Sequence, residues 1–177
     1  MDRAVIQYAH SIIGRLPFFD GIAVFFASYF PYLFIVVFCA LLFTPNAFRE
    51  RMPLLAKKRR LQFVLKALLA LIITWGIILP AVRYGYGRMR PFAEFGWTSL
   101  IAHEASASFP SGHATFMFTL AASIWQLKKK WGYWFFAGAM LTGAARVYAL
   151  VHYPTDIIFG AAVSIAVVFL INRTFQE

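Results

Sequence analysis

From Ile22 to Phe43 the chain runs for 22 residues without one charged side chain. At about 1.5 Å per residue a helix of that length reaches about 33 Å, and the hydrocarbon core of a bilayer is about 30 Å thick. No other feature limits the fold as strongly, and the rest of the sequence repeats it. Of 177 residues, 61% are hydrophobic and 14% charged, whereas roughly a quarter of an ordinary soluble domain is charged. The expectation is an all-α polytopic transmembrane helix bundle, a single integral membrane domain over 1–177. The 20 phenylalanines, 5 tryptophans and 8 tyrosines suit lipid-facing and interfacial surfaces. The single cysteine, Cys39, excludes an internal disulfide and reads as small apolar filler.

Hydropathy predicts about five spans, at 22–43, 61–82, 112–127, 131–151 and 155–171. Pro31 is expected to kink the first. Lys66 lies one turn inside the second, where its stem can be buried while the ammonium reaches water. The third has 16 residues, and Lys128, Lys129 and Lys130 can lengthen it by snorkelling. Residues 4–16 mix apolar and polar positions as an amphipathic interfacial helix does. The first residues show no small-residue cleavage site and do not read as a removed signal peptide.

Alternate loops of such a chain fall on opposite faces of the membrane. Residues 44–60, 128–130 and the tail with Arg173 share one face and carry ten Lys or Arg (six, three and one). The excess places that face in the cytoplasm. The net charge of +10 therefore reflects topology and attraction to anionic membrane lipids, and no nucleic-acid partner is expected.

Three polar islands interrupt the apolar sequence: Arg83 to Pro91, Pro110 to His113, and Arg146 to Asp156. By the order of the spans all three lie on the outer face. Arginine forks match phosphate oxygens, and histidine can attack phosphorus or carry a proton near neutral pH. Ser111 with the amides of Gly112 and His113 opens a helix, and a helix N-terminus attracts anions. Pro154 disfavours helix at Tyr153, so a contact between His152 and Asp156 is expected across a turn, with Asp156 at the start of the last helix.

The spacing of these islands resembles the type 2 phosphatidic acid phosphatase superfamily, whose pattern is K-x6-RP, PSGH, then SR-x5-H-x3-D. The likeness covers residues 83–156. It departs at Arg83, where lysine is usual, and at Ala145, where serine is usual. The resemblance implies that His152 is the nucleophile that forms a phosphohistidine and that Asp156 orients its ring. It makes His113 the general acid, and it places Arg83, Arg90, Ser111, Gly112 and Arg146 on the phosphate. It implies no metal and no other cofactor. The partner it implies is a phosphorylated lipid. The short chain and the sequence from Asp20 to Tyr32 look most like the bacterial undecaprenyl-pyrophosphate phosphatases, working from the inner membrane toward the periplasm or exterior. Lipid A, phosphatidylglycerophosphate, or transfer of phosphate between lipids are the alternatives, and a non-catalytic protein for anionic-lipid binding or transport is a rival class. Two histidines and an aspartate can also ligate a metal, which the surrounding arginines oppose. His10 and His103 read as interfacial surface residues, and Glu94 and Glu104 as solvated loop acids, either of which could touch a leaving group. Oligomeric state is not legible.

Overall fold

The computed structural model describes residues 1–44 and 53–175; Arg49, Glu50 and Arg51 of the expected basic loop lie outside them. Among the described residues all regular structure is helical. A first helix, α1 (Asp2–Ile12), precedes a nearly continuous run of α2 (Pro17–Val24), a π-helical turn (Phe25–Tyr29) and α3 (Phe30–Phe43). A second run joins α4 (Pro53–Leu71), another π-helical segment (Ile72–Ile78) and α5 (Leu79–Tyr86). After the short α6 (Pro91–Glu94) come α7 (Gly112–Leu127), α8 (Lys129–Tyr148) and α9 (Pro154–Thr174).

Among the described residues three stretches are long and apolar enough to cross a membrane: Pro17–Phe43, Lys57–Glu94 and Pro154–Thr174. The other two expected spans, α7 and α8, are not among them, and for α7 the packing supplies a reason. Its residues from Ala114 to Ile124 are buried at all positions but Phe116, because α4, α8 and α9 surround it. A helix screened from lipid by other helices can carry polar side chains, and α7 does. Thr115, Thr119 and Ser123 each bond the carbonyl four residues back, at 2.9, 2.7 and 2.8 Å, which satisfies a hydroxyl within its own helix. Thr74 reaches Thr119 across helices at 3.0 Å, and Ser164 donates to the Thr115 carbonyl at 2.8 Å. Each interhelical bond of this kind contributes about 0.6 kcal/mol inside a bilayer.

Between these polar positions α7 packs through hydrocarbon, with Phe118 and Ile124 in an apolar cluster with Phe34, Phe38 and Phe135. Helices α9 and α7 also approach closely. A Cβ at Gly160 would sit 2.9 Å from Thr115 Oγ1 and 3.2 Å from its backbone nitrogen, so only glycine lets the two backbones meet there.

Pro31 disturbs the first run by a definable route. It has no N–H to give to the carbonyl of Ala27, four residues earlier, and the helix widens into the π turn just before it. That carbonyl instead accepts from Arg146 NH1 at 3.0 Å. Lys66 also finds a protein partner, donating to the Phe175 carbonyl at the end of α9 at 2.8 Å. Helix α1 starts two residues before its expected beginning and ends at Ile12. It buries Ile6 and Ala9 against Leu150 and Tyr153, which places it behind the third polar island.

Candidate active site

The first island bends away from α5 at Gly87, whose φ of 51° is left-handed and whose N–H closes the helix on the Arg83 carbonyl at 3.0 Å. Three residues later Arg90 stands immediately before α6, 2% exposed. Its NH1 donates to the Val151 carbonyl at 2.8 Å and lies 3.1 Å from His152 Nε2. Its NH2 reaches Ser106 Oγ at 3.2 Å and the Ala107 carbonyl at 3.3 Å.

The third island is shaped by how α8 stops. The N–H of Leu150 returns to Val147 and that of Val151 to Arg146, at 3.0 and 3.2 Å, the paired bonds of a Schellman turn. Glycine usually fills the left-handed position. Here Leu150 does, with φ 63°, a strain of about 1–3 kcal/mol that must be held by surrounding structure. Leu150 is fully buried against α1 and the residues that flank α6, and the turn presents His152 two residues later. Next, Pro154 begins α9 and the Asp156 carboxylate accepts the Tyr153 N–H at 2.8 Å, capping the helix from its third residue.

These constraints fix the imidazole of His152. Nδ1 lies 3.3 Å from Asp156 Oδ2 and 3.4 Å from Ser108 Oγ, and Ser108 donates to the same carboxylate oxygen. Since Asp156 can only accept and Arg90 can only donate, the tautomer with hydrogen on Nδ1 satisfies both sides. Nε2 then carries a lone pair. Burial lowers the affinity of His152 for a second proton; Arg146 and Arg90 add to that, and the hydrogen bond to Asp156 opposes it. Together these effects favour the neutral ring.

On the second island Ser111 caps α7 by accepting the Ala114 N–H at 3.4 Å, and its own N–H binds the Asp156 carbonyl at 3.2 Å. His113 follows in the first turn, its Nε2 3.4 Å from Arg146 NH1. Arg83 donates to the Pro110 carbonyl through NH2 at 3.1 Å.

Arg83, Arg90, Arg146, Gly112, His113 and His152 all line one cavity of about 360 Å³. Its other wall is apolar, made by Pro31, Tyr32, Ile35, Trp75, Leu79, Phe116 and Met117. Arg146 Nε and NH2 and Arg90 Nε are buried donors with no partner among the described residues. Guanidinium hydrogens of this kind suit an anion with several oxygens. Ser111 and Asp156, expected at the same site, stand behind this surface; both are fully buried, in the cap and in the back of His152. No three His, Cys, Asp or Glu side chains among the described residues group as metal ligands.

The family model of the PAP2 superfamily matches residues 63–177. The chain belongs to this superfamily. It is 26% identical over 173 residues to "Undecaprenyl-diphosphatase BcrC" of Bacillus subtilis (strain 168), covering 98% of this chain and 83% of that protein. A second relative, "Lipid A 1-phosphatase" of Rhizobium etli, is 32% identical over 96 residues, 51% of this chain and 41% of its own length. Among solved structures, that of Aquifex aeolicus LpxE superposes with a TM-score of 0.72 at 26% identity, over 97% of this chain and 94% of the other. With its three apolar stretches this PAP2 protein is an integral membrane protein, and its class is that of a lipid phosphatase.

Two departures from the PAP2 pattern differ in consequence. Arg83 lines the cavity and keeps a cation there, whereas Ala145 is buried in α8 and does not line it. Several residues at the site carried no spacing signal. His103, expected at the surface, lines the cavity with its ring centroid 6.4 Å from that of His152. Ser106, Ser108 and Arg88 join Arg90 and Asp156 from irregular loops, where no periodicity marks a side chain. Glu94, expected as a solvated acid, is bound by Arg3 at 2.9 Å and by the Tyr153 hydroxyl at 2.5 Å. His10 stacks on Trp97 at 3.9 Å.

Proposed function

We propose that the chain removes the terminal phosphate of a membrane-embedded polyprenyl diphosphate, undecaprenyl diphosphate, through a phosphohistidine on His152 Nε2. The observation that carries this reading is the two-natured cavity: buried guanidinium donors and two imidazoles at one end, membrane-type side chains at the other. Tyr32 is 71% and Trp75 51% exposed, so the apolar wall adjoins the lipid-facing surface. A phosphorylated headgroup can enter from the side while its tail stays in hydrocarbon.

In the first step the Nε2 lone pair attacks the terminal phosphorus and an N–P bond forms. The bond from that phosphorus to the bridging oxygen breaks, and His113 gives its proton to the departing lipid monophosphate. Arg83, Arg90 and Arg146, with the amides opening α7, take the non-bridging oxygens and offset charge in the transition state. Ser111 serves by capping α7 and so aiming those amides. Asp156 holds the Nδ1 hydrogen. In the second step water attacks phosphorus, the N–P bond breaks, inorganic phosphate leaves, and a proton returns to His113.

Hydrolysis of a lipid A phosphate is the second reading, favoured by the relative of that name, which aligns with 51% of this chain. The test is phosphate release in detergent, with EDTA present, from undecaprenyl diphosphate, phosphatidylglycerophosphate, phosphatidic acid and lipid A. We expect the diphosphate to be turned over fastest and His152→Ala to be inactive though folded. Equal release by that variant and wild type would remove the nucleophile, and activity that needs an added divalent ion would favour metal chemistry.

The topology we infer has five spans, with α7 and α8 crossing inside the bundle, α1 at the interface and the cavity on the outer face of the inner membrane. A cysteine-reactive, membrane-impermeant label should reach a cysteine placed at Glu94 in intact cells and fail to reach one placed at Lys130. The opposite labelling reverses the sidedness.

A further inference from the structure

Behind His152 the orienting carboxylate is itself gripped, and by a side chain outside the family pattern. Arg88 NH1 donates to Asp156 Oδ1 at 3.0 Å and to Thr155 Oγ1 at 2.8 Å. Its NH2 donates to Asp2 Oδ2 at 2.8 Å. The guanidinium lies over the Tyr153 ring, 3.7 Å from its centroid. Asp2, at the first residue of α1, also accepts the Thr155 N–H at 3.3 Å and the Thr155 hydroxyl at 2.5 Å.

Thr155 is the second residue of α9, where a backbone N–H has no partner inside its helix, and a carboxylate from α1, 153 positions away, supplies one. Asp156 is fully buried, and a buried carboxylate needs both compensating charge and filled lone pairs. Its Oδ2 receives Tyr153 N, Ser108 and His152, while Oδ1 receives Arg88. Asp2 then balances the added cation. Burial pushes the Asp2 carboxyl up, but the bonds from Thr155 and Arg88 outweigh it and hold it below the ordinary carboxylate value.

We propose that Arg88 is a positioning residue for the His152 nucleophile, and that α1, through Asp2, completes the catalytic apparatus from outside the helices that line the cavity. The chain of contacts Asp2, Arg88, Asp156, His152 fixes the angle at which Nε2 faces the phosphate. This inference rests on the assignment of His152 as nucleophile. A second pair, Arg3 with Glu94 at 2.9 Å, docks the same helix at the surface, where Arg3 is 75% exposed. It touches neither Asp156 nor His152, so it separates docking of α1 from the grip on the carboxylate.

The experiment measures kcat and KM for phosphate release from undecaprenyl diphosphate and from phosphatidic acid by the full chain in detergent. Thermal unfolding and size-exclusion profiles check each variant. Arg88→Gln is expected to lower kcat about 10- to 100-fold with KM unchanged, Arg88→Lys to recover part of it, and Asp2→Asn to act in the same direction more weakly. Arg3→Gln should stay within about twofold, as an exposed ion pair would. In an Asp156→Asn background Arg88→Gln should cost less than about twofold, because the partner it acts through is gone. Wild-type kcat in a folded Arg88→Gln, or an equal loss with and without Asp156, overturns the proposal. If Arg88→Gln does not fold, Asp2→Asn decides it, and wild-type kcat there overturns the role of α1. An inactive His152→Ala beside a fully active Arg88→Gln ends this inference alone; an active His152→Ala ends the nucleophile as well.

Discussion

The two faces of His152 are built on opposite rules. On the Nε2 side, Arg90 NH1 lies 3.1 Å from the ring, and Arg146 and Arg90 keep buried donors with no partner among the described residues beside a cavity of about 360 Å³. On the Nδ1 side, Asp156 is fully buried and its two oxygens meet Arg88, Ser108, Tyr153 N and His152. An incomplete set of donors stores affinity for an anion that has yet to arrive, while a complete one fixes a ring in place. The two faces therefore predict different kinetic symptoms when damaged.

The largest effect short of removing His152 itself belongs to the open face. Arg146→Gln removes donors aimed at the phosphate and is expected to lower kcat/KM about 10²- to 10³-fold, the loss seen when one preorganised donor to a developing charge is deleted. If kcat/KM stays within a factor of about three, the unpaired donors are not the phosphate site. Substitutions on the closed face, such as Arg88→Gln, should be milder and confined to kcat, and a loss carried by KM would mean that the two faces do not act separately.

The smallest effect is on stability against pH. Burial depresses the pKa of His152 in the folded protein below its ordinary 6.5. Below that value the unfolded chain takes up a proton that the folded chain refuses. Stability from this group is thus complete above about pH 6.5 and falls as the pH drops toward the folded pKa. Unfolding temperature in detergent should decline on acidification from pH 7 to 5, and His152→Gln should flatten that decline. A slope unchanged by the substitution would assign the acid sensitivity to other groups.

Different parts of this arrangement had different visibility. His113, His152 and the arginines at 83, 90 and 146 stood out because polar residues are costly beside long apolar runs and because their spacing resembles the superfamily pattern. The turn between α8 and α9 was legible too, since Pro154 forbids a helical path and puts Asp156 in a capping position, as found. Arg88 was not, because its meaning comes from pairing with residues 68 and 86 positions away. Nor was the Ala27 carbonyl: Pro31 marked a disturbance, but only packing shows that Arg146 meets the acceptor it frees. His103 looked like a surface residue because nothing local to an irregular loop tells which way it folds.

Apolar length and charge placement alone determined that this chain is a bundle of membrane helices interrupted by polar islands, since transfer of side chains between water and hydrocarbon is a local property summed along the sequence. Which islands touch, which donors are satisfied and which are left open depend on distances between residues far apart in the chain. Only the close contact of α9 with α7 at Gly160 and the docking of α1 behind Tyr153 decided those.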